Sequence, residues 1–118
     1  MIVSFTFVRM REGFTAEEFF ERWTRHTEQY DLRDHPYITK NRLMMIQGHP
    51  DYVGIAENEL PDMDSLVRTG EFYGSTDDGR AHWADLQTFM DIDNSPTVIV
   101  TAEADVTDAG TVVTRLGG

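Results

Sequence analysis

The sequence predicts an α+β fold in which one four-stranded antiparallel sheet carries its helices on a single face. Three observations lead there. Four stretches have strand character, and they alternate with helical stretches in the order strand, helix, strand, strand, helix, strand. The chain has 118 residues, enough for one hydrophobic core and too few for two domains. It contains no cysteine, so a disulfide scaffold and thiolate chemistry are both excluded.

Residues 2–9 alternate, with Val3, Phe5 and Phe7 on one side and Ile2, Ser4, Thr6 and Val8 on the other, which predicts the first strand. Arg11, Glu12 and Gly13 read as a turn. Thr15 followed by Glu18 is a capping box and starts a helix over 15–30. His35 and Pro36 break the chain. Residues 37–47 form the second strand, and a tight connection at 48–51 makes the third, 52–59, antiparallel to it. Asp62 is placed to cap a short helix over 62–69, and 70–76 reads as a break. A further helix covers 76–90, with Asp77 and Asp78 in its first turn, where the helix dipole favours anions. The β-branched run Val98, Ile99 and Val100 marks the last strand, 97–106. The domain is therefore expected to span 1–106, followed by a Gly- and Thr-rich tail at 107–118.

That element order is the split βαβ, or ferredoxin-like, arrangement. The sheet faces differ in character. Opposite Phe5, Phe7, Val98 and Val100 lie Ser4, Thr6, Thr97, Ile99, Thr101 and Glu103. This mixture is too apolar for open water and too polar for a dry core. It suits a partly wet cavity between two sheets, as in a dimer that closes a barrel; the plainer reading is a half-solvated face.

A net charge of -11 repels phosphate backbones and anionic lipid heads, so neither nucleic acid nor membrane is an expected partner. The first residues lack the basic-then-apolar layout of a leader, and no apolar run approaches the ~20 residues of a bilayer span. A cytoplasmic location is expected. No phosphate-binding glycine loop and no serine-nucleophile elbow occurs, and the four histidines show no pair one helical turn apart that would suit a metal. Neither metal nor organic cofactor is therefore expected.

The chemistry-bearing signal lies on the first helix. Phe19, Trp23, His26 and Tyr30 recur at spacings of four, three and four, which puts them on one face and carries His26 inward. An imidazole there is either a proton carrier or an internal histidine bonded to a carbonyl. His82 reads as a second proton carrier or as packing on the rim of its helix. His35 and His49, each before a proline, read as turn or surface residues. Trp23, Tyr30 and Tyr37 are placed to shape a pocket, and Asn41 to hydrogen-bond a substrate carbonyl.

The run from Arg11 through Gly13, Thr15, Glu17, Glu18 and Phe19 to Trp23, with His26 three residues later, resembles the first half of EthD-like proteins. The stretches 52–57, 62–66 and 85–91 are similar to the second half, so the resemblance covers 1–106. It implies a homodimeric α/β barrel that works without cofactor, holding a small hydrophobic oxygenated molecule between helices and sheet. By that resemblance His26 is the proton-shuttling histidine of isomerase-like members. The expected activity is a lyase or isomerase acting on an aromatic, lactone or polyketide-like substrate. A cofactor-free monooxygenase and a non-catalytic binding protein are the alternatives.

Overall fold

A computed structural model describes residues 1–30 and 35–116. Strands β1 (Ile2–Val8), β2 (Lys40–Met45), β3 (Gly54–Leu60) and β4 (Thr97–Val100) form one sheet in the order β2-β3-β1-β4. Every neighbouring pair is antiparallel. Helices α1 (Ala16–Gln29), α2 (Met63–Ser75) and α3 (Asp77–Gln87) complete the ferredoxin-like arrangement expected from the sequence. Among the described residues no helix is long and apolar enough to cross a membrane.

The predicted start of α1 is built as the sequence implies. Thr15 Oγ1 accepts the Glu18 N–H at 3.1 Å, and Glu18 Oε1 accepts the Thr15 N–H at 3.0 Å. These bonds satisfy two of the orphan donors of the first turn. Phe19 and Trp23 then pack with Val8, Val53, Phe89 and Met90 as the buried core. Phe19 and Phe89 are fully buried, each worth about 2–3 kcal/mol by removal from water. Gly54 lets α1 approach the sheet closely. A Cβ there would lie 2.8 Å from both the Met44 carbonyl oxygen and Trp23 Cζ3.

Three expectations need correction. The stretch 70–76, expected as a break, is helical to Ser75. The chain turns instead on Thr76, whose hydroxyl donates to the Phe72 carbonyl at 3.0 Å and accepts the Gly79 N–H at 2.9 Å. Gly79 is required at this elbow, since a Cβ would fall 1.9 Å from the Phe72 oxygen. The strand expected over 97–106 is interrupted at Thr101. Residues on both sides of the 106/107 limit instead build a separate hairpin, β5 (Ala102–Thr107) with β6 (Gly110–Arg115), turning at Gly110 with φ of 120°. Residues 117–118 of the expected tail lie outside the described residues. Val106, Val112 and Val113 of this hairpin are exposed, and Leu116 behind it is buried.

The third correction concerns the faces of the sheet. Ser4, Thr6, Asn58 and Thr97 line a cavity beneath the helices. By strand alternation Val3, Phe5, Phe7, Val98 and Val100 point the other way, together with the Arg42–Glu57 ion pair at 3.0 Å. The mixed face thus belongs to a cavity within one chain, not to a space between two sheets. Alternation in the strand separates the faces but does not say which one the helices cover, and here the helices bring the polar groups that match it.

Candidate functional site

The cavity measures about 490 Å³ and lies between the sheet and the helices. Its floor is Ser4, Thr6, Asn41, Asn58 and Thr97 from the strands; its walls include Trp23, Leu43, Leu66, Trp83, Leu86 and Ile92. Among the described residues that line it, none is Asp, Glu, Lys or Arg. Its polarity therefore comes from hydroxyls, amides and imidazoles.

Helix spacing brings the histidines together. Arg22 and His26 are one turn apart on α1, and His82 and Asp85 one turn apart on α3, so each pair shares a helix face. His26 Nδ1 lies 2.6 Å from Asp85 Oδ2, and His26 Nε2 lies 3.1 Å from His82 Nε2. Arg22 holds the carboxylate from the other side, donating from its two terminal nitrogens to Oδ1 at 2.5 Å and Oδ2 at 3.3 Å. Its guanidinium lies over the Phe89 ring, 5.0 Å from the centroid, and donates to Thr88 Oγ1 at 3.1 Å. Tyr30 packs beside both imidazoles, its ring centroid 5.0 Å from each.

The titration behaviour follows from these contacts. Burial pushes Asp85 up, but its bonds to Arg22 and His26 and their charges outweigh burial and leave it below the usual carboxylate range. Burial holds His26 below the ordinary histidine value; the hydrogen bond and charge of Asp85 oppose that shift, and Arg22 adds to it. His82 is pushed down to about 3, chiefly by burial and then by repulsion from His26 and His35. Near neutral pH, therefore, Asp85 is ionised and both imidazoles are neutral. An ionised carboxylate only accepts, so the proton of neutral His26 sits on Nδ1. Its Nε2 lone pair then receives the N–H of His82 Nε2. His82 Nδ1 is left as an acceptor, with no hydrogen bond to a described residue.

Of the residues singled out in the sequence, His26, His82, Trp23, Tyr30 and Asn41 all line the cavity. Asn41 is held on the floor by donating to Asn58 Oδ1 at 2.6 Å. Tyr37 is not among the lining residues; its hydroxyl interacts with Arg68 of α2. Sequence reasoning passed over Asp85, Arg22, Tyr73 and His35. The His82/Asp85 and Arg22/His26 spacings were the available signal for the first two. His35, expected at a turn or on the surface, is 8 % exposed and lines the cavity, because its ring packs on Phe72 and Tyr73 of α2.

The fold and this site describe a ferredoxin-like α+β domain with a polar-floored cavity under its helices. No protein-family profile matches the chain, and no curated protein matches it. Solved structures do. A dimeric protein of unknown function and ferredoxin-like fold from Bacteroides fragilis aligns over 84 % of this chain and 93 % of its own, with 13 % identity and a TM-score of 0.58. SnoaB, a cofactor-independent oxygenase from Streptomyces nogalater, aligns over 91 % and 98 %, with 16 % identity and a TM-score of 0.58. An ethyl tert-butyl ether D (EthD) family protein from Bacillus halodurans aligns over 85 % and 97 %, with 19 % identity and a TM-score of 0.57. The likeness to EthD-type proteins noted in the sequence thus holds at the level of the fold.

Proposed function

We propose that the protein is a cofactor-independent enzyme that moves a proton on a small hydrophobic oxygenated molecule, as a lyase or isomerase acting on an aromatic, lactone or polyketide-like substrate. The observation that carries this reading is the hydrogen-bonded line Asp85–His26–His82 that reaches the cavity. In the proposed step His82 Nδ1 takes a proton from the substrate while the His82 Nε2–H passes to His26 Nε2. His82 changes tautomer and remains neutral; the charge ends on His26, where Asp85 accepts from it. A low proton affinity at His82 suits a relay that never stores charge. A positioned acid/base group of this kind contributes about 10²–10⁴ in rate. Reversing the path returns the proton to another substrate atom, which gives isomerisation, or to a leaving hydroxyl, which gives dehydration. Trp23, Tyr30 and Asn41 position the molecule.

The test begins with the histidine ring NMR signals, titrated against a panel of phenolic and lactone compounds. The His26 and His82 signals are expected to shift with a ligand that the protein then converts, and His26→Ala is expected to keep the fold while removing turnover. Unchanged turnover in His26→Ala would sink the assignment. A second reading, a cofactor-free monooxygenase, is favoured by the likeness to SnoaB. There the same relay would make an electron-rich substrate anion that reacts with oxygen, and oxygen consumption separates the two. A non-catalytic binding protein would show saturable binding, no product, and no loss in His26→Gln.

The same reading includes a homodimer in the cytoplasm. It is supported by the half-exposed Phe5 and Phe7 and the exposed Val98 on the face away from the helices, and by the dimeric Bacteroides fragilis protein. Sedimentation is expected to give twice the chain mass, and Val98→Glu to shift it toward the monomer.

A further inference from the structure

The cavity holds a second polar group that the relay does not use. His35 Nε2 lies 3.0 Å from the Tyr73 hydroxyl, and both residues line the cavity on the side of α2. The Tyr73 ring centroid is 5.0 Å from that of His82, and the His35 ring is 6.1 Å from it. This pair therefore sits directly beside the end of the relay that meets the substrate. His35 is 8 % exposed, and its Nδ1 is buried with no hydrogen-bond partner among the described residues.

We infer that Tyr73, held by the buried ring of His35, is an O–H donor to the substrate oxygen on which negative charge develops. The inference rests on the proton-transfer reading above and extends it to the substrate, which must be an enolisable carbonyl compound or a phenol. The orphan nitrogen decides which way the His35–Tyr73 bond runs. A proton on His35 Nδ1 would bury an N–H with nothing to receive it, and buried unpaired N–H groups are the rarer defect. With the proton on Nε2, only a lone pair is left at Nδ1. The N–H then donates to the tyrosine oxygen, and the tyrosine keeps its own hydrogen to give elsewhere. No described residue accepts it. Burial pushes the Tyr73 phenol up to about 12, so it stays neutral and donates a hydrogen bond without surrendering its proton.

The electron balance is simple. The substrate's C–H or O–H bond breaks toward His82 Nδ1, its electron pair comes to rest on the substrate oxygen, and the Tyr73 O–H stabilises that oxygen. No oxidant or co-reactant enters. Donor and acceptor lie on neighbouring rings, so a carbonyl oxygen and the adjacent carbon can meet both at once. A donor aimed at developing charge acts more strongly on the anion than on the neutral molecule.

The experiment uses 4-nitrophenol as an anion probe and 4-nitroanisole as its uncharged control, with the folded full chain. Above the pKa of the phenol, Tyr73→Phe is expected to weaken binding of the phenolate by about 10- to 100-fold, the worth of one hydrogen bond to a charged group. Affinity for 4-nitroanisole is expected to stay unchanged, which shows that the cavity itself is intact. His35→Gln, whose amide still donates, is expected to retain phenolate binding within a few fold, whereas His35→Leu loses it as Tyr73→Phe does. Equal phenolate affinity in wild type and Tyr73→Phe, or no saturable phenolate binding to the wild type, overturns the assignment. The relay is read separately, below the pKa of the phenol, from the visible phenolate band that appears on binding. If His26→Ala still generates that band, the relay fails while the Tyr73 result stands on its own.

Discussion

Acidification from about pH 7.5 to about pH 5.5 is expected to destabilise the protein through its buried histidines. His26, His35 and His82 all have folded-state proton affinities below the ordinary value of 6.5, chiefly because burial opposes their charging. In the unfolded chain each binds a proton as pH falls through that value, while the folded state resists. Over this window the unfolded state therefore binds more protons, and stability rises with pH and falls on acidification. His82, pushed down to about 3, stays neutral throughout and loses at most about 1.4 kcal/mol across the window, and His26 and His35 add to the loss in the same direction. Against the roughly 5–15 kcal/mol typical of a whole domain that is a measurable loss. Asp85 has the opposite cause but the same direction. Its stabilisation is present above the unfolded carboxylate value of 3.8 and is lost below it, outside this window. Urea unfolding at one fixed protein concentration measures the effect, and His82→Gln should lower the slope. A stability that stays flat between the two pH values would refute the argument that these imidazoles are held neutral.

Three further outcomes follow from the contacts described. Asp85→Asn leaves the Arg22 cation without its carboxylate and is expected to cost about 2–3 kcal/mol, read as a lower urea midpoint at neutral pH. An unchanged midpoint would mean the pair contributes nothing. Gly54→Ala must push both the Met44 carbonyl and Trp23 aside and is expected to cost about 1–3 kcal/mol, with the Trp23 indole resonance shifting in the same sample; a neutral effect would show that both have room to give. The β5–β6 hairpin has few supports, and an isolated two-stranded ribbon is marginal in water. Its amides are expected to exchange with solvent well before those of β1 and β3, and equal protection would place it in a larger packed surface.

The sequence carried the fold well because its signals were local. Alternation over 2–9, the Thr15–Glu18 box and the β-branched run at 98–100 each act within a few residues, and an element starts at each, although the last strand ends at Val100 and not at 106. Local signals failed where tertiary contacts decide. The stretch 70–76 reads as a break, yet the helix continues to Ser75 because Thr76 and Gly79 supply a tighter turn just beyond. The tail composition hid a hairpin whose second strand is only marginally apolar. The site divides the same way. His26 was legible from its aromatic stripe, since a residue on that stripe must point inward. His35 was not, because its burial depends on Phe72 and Tyr73, far along the chain. Asp85 reads as one more surface acid in a chain with 21 acidic residues until α3 is laid beside α1.

Gly54 has a meaning for how such a protein can change over generations. The missing side chain sets the height at which Trp23, and with it the first helix, rides above the sheet. His26 lies one turn further along the same helix, so that height also fixes whether its imidazole reaches both Asp85 and His82. A larger residue at position 54 then needs a smaller one at 23 together with a shift of the Met44 carbonyl, and homologues should vary positions 54 and 23 together. Any lineage or library that reshapes the cavity from the strand side alone moves the His26 imidazole as well, and the two traits would be inherited as one.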